Sequence, residues 1–119
     1  MSMKELHAAA DRLTETFAEA QKRHPMPIDQ LAVQVYGWAQ MTFPDRTMGG
    51  MAIKLYEEIG EWLRNPRNGL EFADVMIMLL DAAVQMDIDI QHCVLDKLAI
   101  NKRRVWRVDH ELGIMRHED

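Results

Sequence analysis

Apolar positions recur at three- and four-residue steps along most of the chain, a helical period, and no segment alternates convincingly as a strand would. From about Lys4 to His24, Leu6, Ala9, Leu13, Phe17 and Ala20 form one stripe on a polar helix, which Pro25 and Pro27 end. A second helix is predicted from Ile28 to about Phe43, with Leu31, Val35 and Trp38 on one face. After the break at Pro44-Asp-Arg-Thr47, and past Gly49 and Gly50, the pattern is helical from Ile53 through Leu63, and Asn65-Pro-Arg-Asn-Gly69 is a strong stop with turn chemistry. Leu70 to Met86 is apolar on nearly every side, the pattern of a helix buried in its own chain or covered by a partner. Asp87-Ile-Asp89 caps a last helix running to about Trp106, and Arg107 to Asp119 reads as a polar tail without structure of its own. The expectation is an all-α chain without strands, a helical bundle of one domain, divided into an N-terminal helix and loop (1–27), a set of main helices (28–106) and the tail (107–119).

Composition narrows the function. With 119 residues the chain can bury one modest core, and its 14 basic against 19 acidic residues leave a net charge of −5, which argues against a nucleic-acid partner. No apolar run approaches the length of a membrane span, the opening residues lack the apolar core of a signal peptide, and the single Cys93 cannot form an internal disulfide. A reducing cytoplasm and no membrane partner are the expectation. Ten methionines suggest adaptable helix packing and leave room for self-association.

Against the apolar fourth helix, its few charges stand out. Glu58 and Glu61 are spaced i, i+3, as are Glu71 and Asp74, so each pair projects from one helix face about a turn apart. Folded as an antiparallel hairpin turning at Pro66, the two helices bring Glu58 level with Asp74 and Glu61 level with Glu71. Four carboxylates then share one patch and demand cations or protons to relieve their repulsion. An all-oxygen donor set selects hard ions, Mg²⁺ or Mn²⁺. A rise of about 4.5 Å over three residues is close to the roughly 3.5–4 Å that separates ions in two-metal phosphoryl-transfer sites, so two or more ions per site are expected. Gly60, placed inside the helix at some cost in propensity, would permit a close approach of backbone or ligand.

On the last helix, Lys97, Asn101 and Arg104 fall at i, i+4 and i+7, one stripe of ammonium, amide and guanidinium suited to phosphate oxygens. The same cations would also complement the carboxyl end of the helix without any ligand. Trp38 and Trp106 could stack on a base or be core, and Asp81, at i+7 from Asp74, could take a sugar hydroxyl or pair with a neighbouring helix.

Taken together, Glu58-x-x-Glu61, Glu71-x-x-Asp74 and Lys97-x-x-x-Asn101-x-x-Arg104-x-Trp106 resemble the signature of the all-α nucleoside triphosphate pyrophosphohydrolases, the superfamily of MazG and the dimeric dUTPases. With Trp38 and Thr42-Phe43, the likeness over roughly Gln34 to Trp106 is greatest to the compact MazG-like branch that acts on purine deoxynucleotides, including the phage enzymes called MazZ. One departure is the spacing of only nine residues between Glu61 and Glu71, which implies a tight turn. The resemblance implies metal-dependent hydrolysis of dGTP or dATP to the monophosphate and pyrophosphate. It implies Glu58, Glu61, Glu71 and Asp74 as metal ligands, and Glu61, or Glu57 if it turns inward, as the group that positions or deprotonates water. It further implies Lys97, Asn101 and Arg104 on the phosphates, and a MazG-like bundle completed as a homotetramer (a dimer of dimers) or a homodimer, in the host cytoplasm if phage-encoded. Other readings are a dUTP or dCTP pyrophosphatase of the same superfamily and a non-catalytic helical interaction module; a ferritin-like di-iron centre would need Glu-x-x-His pairs, which Glu58 and Glu71 do not begin.

Overall fold

The computed structural model of the chain describes residues 2–8 and 26–118. A first helical segment, α1, is described over residues 3–8, and the rest of the predicted first helix lies outside the described residues. Four helices follow, α2 (Ile28–Thr42), α3 (Met48–Arg64), α4 (Gly69–Gln85) and α5 (Ile90–Arg103), and then a two-stranded antiparallel ribbon of β1 (Trp106–Asp109) and β2 (Ile114–His117).

Local chemistry explains the boundaries. Thr47 caps α3 by accepting the Gly50 amide on its hydroxyl at 3.1 Å, so the helix starts at Met48, a full turn earlier than apolar periodicity alone suggests. Glycine fits there, because a Cβ on Gly50 would lie 3.2 Å from the capping oxygen. At the hairpin, Asn65 ends α3 and Asn68 caps α4 through its side chain, while the Trp62 indole donates to the Pro66 carbonyl at 3.1 Å and meets Phe72 edge to face. Asp89 caps α5 by accepting the His92 amide, as expected.

The chain departs from expectation after residue 103. The last helix stops at Arg103, and Trp106 stands in a strand. Residues 106–117, expected as unstructured tail and helix end, pair as a ribbon in the register Trp106 with His117 and Asp109 with Ile114. The cause is local: the Asp109 side chain accepts the amides of Glu111 and Leu112, its carbonyl accepts that of Gly113, and Gly113 supplies the positive φ of 65° that closes the loop. The Trp106 indole anchors the ribbon by donating to the Asn101 carbonyl at 2.7 Å and packs edge to face on His117.

The core is small and centred on α4. Ala32 and Ala39, two turns apart on α2, admit α4 closely, and Met51, Val75, Leu80 and Ala83 complete the buried apolar set among the described residues. The helix α4 packs against both α2 and α3, whereas α5 touches α2 only lightly and buries none of its residues. Although α4 is apolar almost throughout, Phe72 and Leu79 remain exposed.

Candidate metal and nucleotide site

The tight turn at Asn65-Pro-Arg-Asn68 sets α3 and α4 antiparallel, and their facing sides carry the acidic residues. Carboxylate oxygens of Glu58, Glu61 and Glu71 lie within 4.8 Å of one another. Asp74 lies next to this triplet in the sense that it and Glu58 line the same cavity. The hairpin thus brings together three of the four predicted carboxylates, and Asp74 stands outside that triplet.

The electrostatics of the cluster are unbalanced. Glu58 is 8% exposed, and its Oε2 is buried without a hydrogen-bond partner among the described residues. Its other oxygen lies 3.0 Å from the Lys54 ammonium, which stays exposed one turn earlier on α3. That pairing, with Glu58 foremost, raises the Lys54 pKa above its ordinary value. The negative charge of Glu58 pushes the Glu61 carboxyl above the usual carboxylate range, Glu71 adds to the effect, and Lys54 opposes it. Among the described residues, the Lys54 ammonium thus stands against Glu57, Glu58 and Glu61, and Glu58 keeps one buried oxygen unpartnered. These residues fit divalent hard cations: the donors are all oxygen, they converge, and a cation would satisfy the unpartnered lone pairs. Glu57 points to the surface, its carboxylate 3.6 Å from the same ammonium.

Beside the cluster opens a cavity of about 670 Å³ walled by α2, α3, α4 and the α2–α3 connection. One end carries Glu58, Asp74 and Lys54; the middle is apolar, with Met51, Ile77 and Met78. Trp38 and Phe43, edge to face with centroids 5.6 Å apart, form another part of the wall. The remaining end is closed by a buried ion pair: Arg46 donates from Nε to Asp81 Oδ2 at 2.8 Å and from Nη2 to Oδ1 at 2.9 Å. Gln85 adds a third hydrogen bond to Asp81, so this carboxylate takes the partner role rather than standing free for a sugar hydroxyl.

The basic stripe is elsewhere. Arg104 follows α5 in extended backbone, so only Lys97 and Asn101 keep helical spacing, although Arg104 Nη1 still reaches Asn101 Oδ1 at 3.4 Å. Lys97, Asn101, Arg104 and Trp106 do not line the cavity of their own chain. Within the described residues nothing comes within 4 Å of a Cβ built on Gly60, so the close approach expected there does not occur inside one chain. Sequence reasoning passed over Lys54 and Arg46. Lys54 was legible as the i−4 partner of Glu58, whereas Arg46 meets an aspartate 35 residues away and carries no local signal.

A family model described as dATP/dGTP pyrophosphohydrolase matches residues 31–117. The dATP/dGTP diphosphohydrolase of Cyanophage S-2L is 41% identical over 96 residues, covering 78% of this chain and 90% of that protein. A second dATP/dGTP diphosphohydrolase, from Salmonella phage PMBT28, is 49% identical over 74 residues, which take in 61% of this chain and only 26% of the relative. Among solved structures, the Cyanophage S-2L MazG-like pyrophosphohydrolase, bound to dGDP and three catalytic Mn²⁺ ions per active site, superposes with a TM-score of 0.71 at 41% identity, over 80% of this chain and 100% of that one. The family match runs from within α2 to the end of the ribbon and spans the whole α3–α4 hairpin, and on that footing the chain belongs to the dATP/dGTP pyrophosphohydrolase family.

Proposed function

We propose that the protein hydrolyses the purine deoxynucleotides dATP and dGTP between the α and β phosphates, releasing the monophosphate and pyrophosphate. The observation that carries this reading is the convergence of Glu58, Glu61 and Glu71 beside a cavity large enough for a nucleotide, in a chain of this family. Glu58, Glu61, Glu71 and Asp74 would hold Mg²⁺ or Mn²⁺, two or more ions per site. Such ions supply Lewis acidity toward the phosphate oxygens and the attacking water.

The protein's own groups do the rest. Glu61, the most exposed carboxylate of the triplet, is the first choice to orient water and receive its proton, with Glu57 second if it turns inward from the surface. Lys54 keeps its charge and faces the phosphate end of the cavity. The apolar stretch and Trp38 receive the nucleoside and exclude water. Lys97, Asn101 and Arg104 bind phosphates from a neighbouring subunit, with Trp106 bracing their helix end, because these residues lie away from the cavity of their own chain. A homotetramer built as a dimer of dimers, or a homodimer, provides that neighbour and covers α4 and α5. The place of work is the cytoplasm, that of the host if the protein is phage-encoded, and no nucleic acid or membrane takes part.

A panel of dATP, dGTP, dUTP and dCTP with Mn²⁺, read by chromatography of products, tests the proposal. Monophosphate and pyrophosphate from the two purine substrates at rates well above the pyrimidines are expected. Preference for dUTP or dCTP, or release of single phosphate, would overturn it.

A further inference from the structure

The buried pair at the far end of the cavity has no role in the chemistry above, yet it ties together three separate pieces of the wall. Arg46 donates two hydrogen bonds to Asp81 on α4, and its Nη1 donates to Gln40 Oε1 on α2 and to the Phe43 carbonyl, both at 3.1 Å. Its guanidinium also lies over the half-buried Tyr36 ring, 5.4 Å from the centroid. The side chains of Arg46 and Asp81 are 11% and 7% exposed. Asp81 sits two turns beyond Asp74 on the cavity side of α4, about 10.5 Å along the helix, so the pair stands at the opposite end from the carboxylates. With phosphates at the acidic end, this is the nucleoside end.

Neither partner has much capacity left for a ligand. Asp81 accepts three hydrogen bonds, and four of the five guanidinium N–H directions of Arg46 are directed at Asp81, Gln40 and Phe43. We infer that Arg46 and Asp81 are a positioning pair for the nucleoside: they pin the end of α2 and the Phe43–Thr47 segment onto α4, fixing Trp38 and Phe43 at the distance from Ile77 and Met78 that a purine requires. This rests on the purine deoxynucleotide reading of the site. An interaction that holds the wall equally before and during reaction governs binding, so its loss raises KM and spares kcat.

The test compares Arg46→Met, Asp81→Leu and the double variant. Each single change strands a buried charge and destabilises the fold, whereas the double change removes both charges and leaves stability near the wild type. The inference expects the double variant to melt close to wild type, to show a KM for dGTP raised at least about tenfold with kcat within about threefold, and to bind dGDP correspondingly more weakly by calorimetry. Its Mn²⁺-induced rise in melting temperature should be unchanged, since the carboxylate cluster lies elsewhere. Arg46→Lys, which keeps the charge and loses the fork, should recover less than half of the lost affinity. A double variant with wild-type KM and wild-type dGDP affinity would overturn the inference and leave the pair a packing feature. A wild-type protein that turns over neither purine substrate would instead defeat the functional reading, and dGDP binding would still judge the wall.

Discussion

Among single residues, Glu61 is the most informative, because the charges around it can be tested in the metal-free protein. Neighbouring carboxylates raise its pKa in the folded chain, Glu58 foremost, so the folded state holds that proton more tightly than the unfolded state does. For an acid with a raised folded pKa, the associated stability is full below the unfolded value and is lost as pH rises through the folded one. Glu61→Gln therefore removes a repulsion felt only above that range. In EDTA, its melting temperature relative to wild type should be higher at about pH 8 than at about pH 4; a difference that does not change with pH would contradict the crowding of charges. The same variant, with Mn²⁺ present, should lose at least about a hundredfold in kcat while keeping its helical circular dichroism, as should Asp74→Asn. Much of this was legible in the sequence, because an i, i+3 pair on each arm of a hairpin fixes which side chains meet. Asp81 shows where legibility ended: its position on the cavity side of α4 could be read from spacing, but its partner Arg46 comes from a connection with no periodicity.

Single helices and turns were readable where capping and periodicity agree. Asn68 and Asp89 mark the starts of α4 and α5 as their chemistry predicts. The start of α3 was placed late because Gly49 and Gly50 weaken the helical pattern, although Thr47 supplies the cap. Thr47→Ala should cost about 1 kcal/mol and lower the melting temperature by about 4 °C; an unchanged melting curve would mean that the cap contributes little to α3. The ribbon was missed because Lys102, Arg103 and Arg104 continue a polar helical pattern into β1. Its signals are the alternation of Trp106, Arg107, Val108 and Asp109 and the Asp109-to-Gly113 turn, both short beside the helical pattern of α5.

As a whole, the molecule is more open than a chain of its length needs to be. Its radius of gyration is 17.9 Å, against about 13–14 Å for a compact domain of this size. Among the described residues, an apolar α4 with exposed Phe72 and Leu79, an α5 without a buried residue and a ribbon exposing Val108, Ile114 and Met115 present apolar surface to solvent, which fits the proposed assembly. Light scattering after size exclusion should return a tetramer or a dimer; a monodisperse monomer at micromolar concentration would contradict the proposed sharing of sites. Sharing predicts in addition that Glu61→Gln and Lys97→Ala subunits, each inactive alone, regain turnover when mixed and reassembled, because some sites then pair an intact cluster with an intact basic stripe. Failure of mixtures that do exchange subunits would return Lys97 to its own chain.

The central claim is that four carboxylates of the α3–α4 hairpin hold the divalent ions on which hydrolysis depends. Crystals grown with Mn²⁺ and dGDP, measured on the high-energy side of the manganese absorption edge, test it most directly. Anomalous peaks bonded to Glu58, Glu61, Glu71 and Asp74 are expected, with the diphosphate against them and the base between Trp38 and α4. Manganese bound away from these residues, with nucleotide in the cavity, would contradict it.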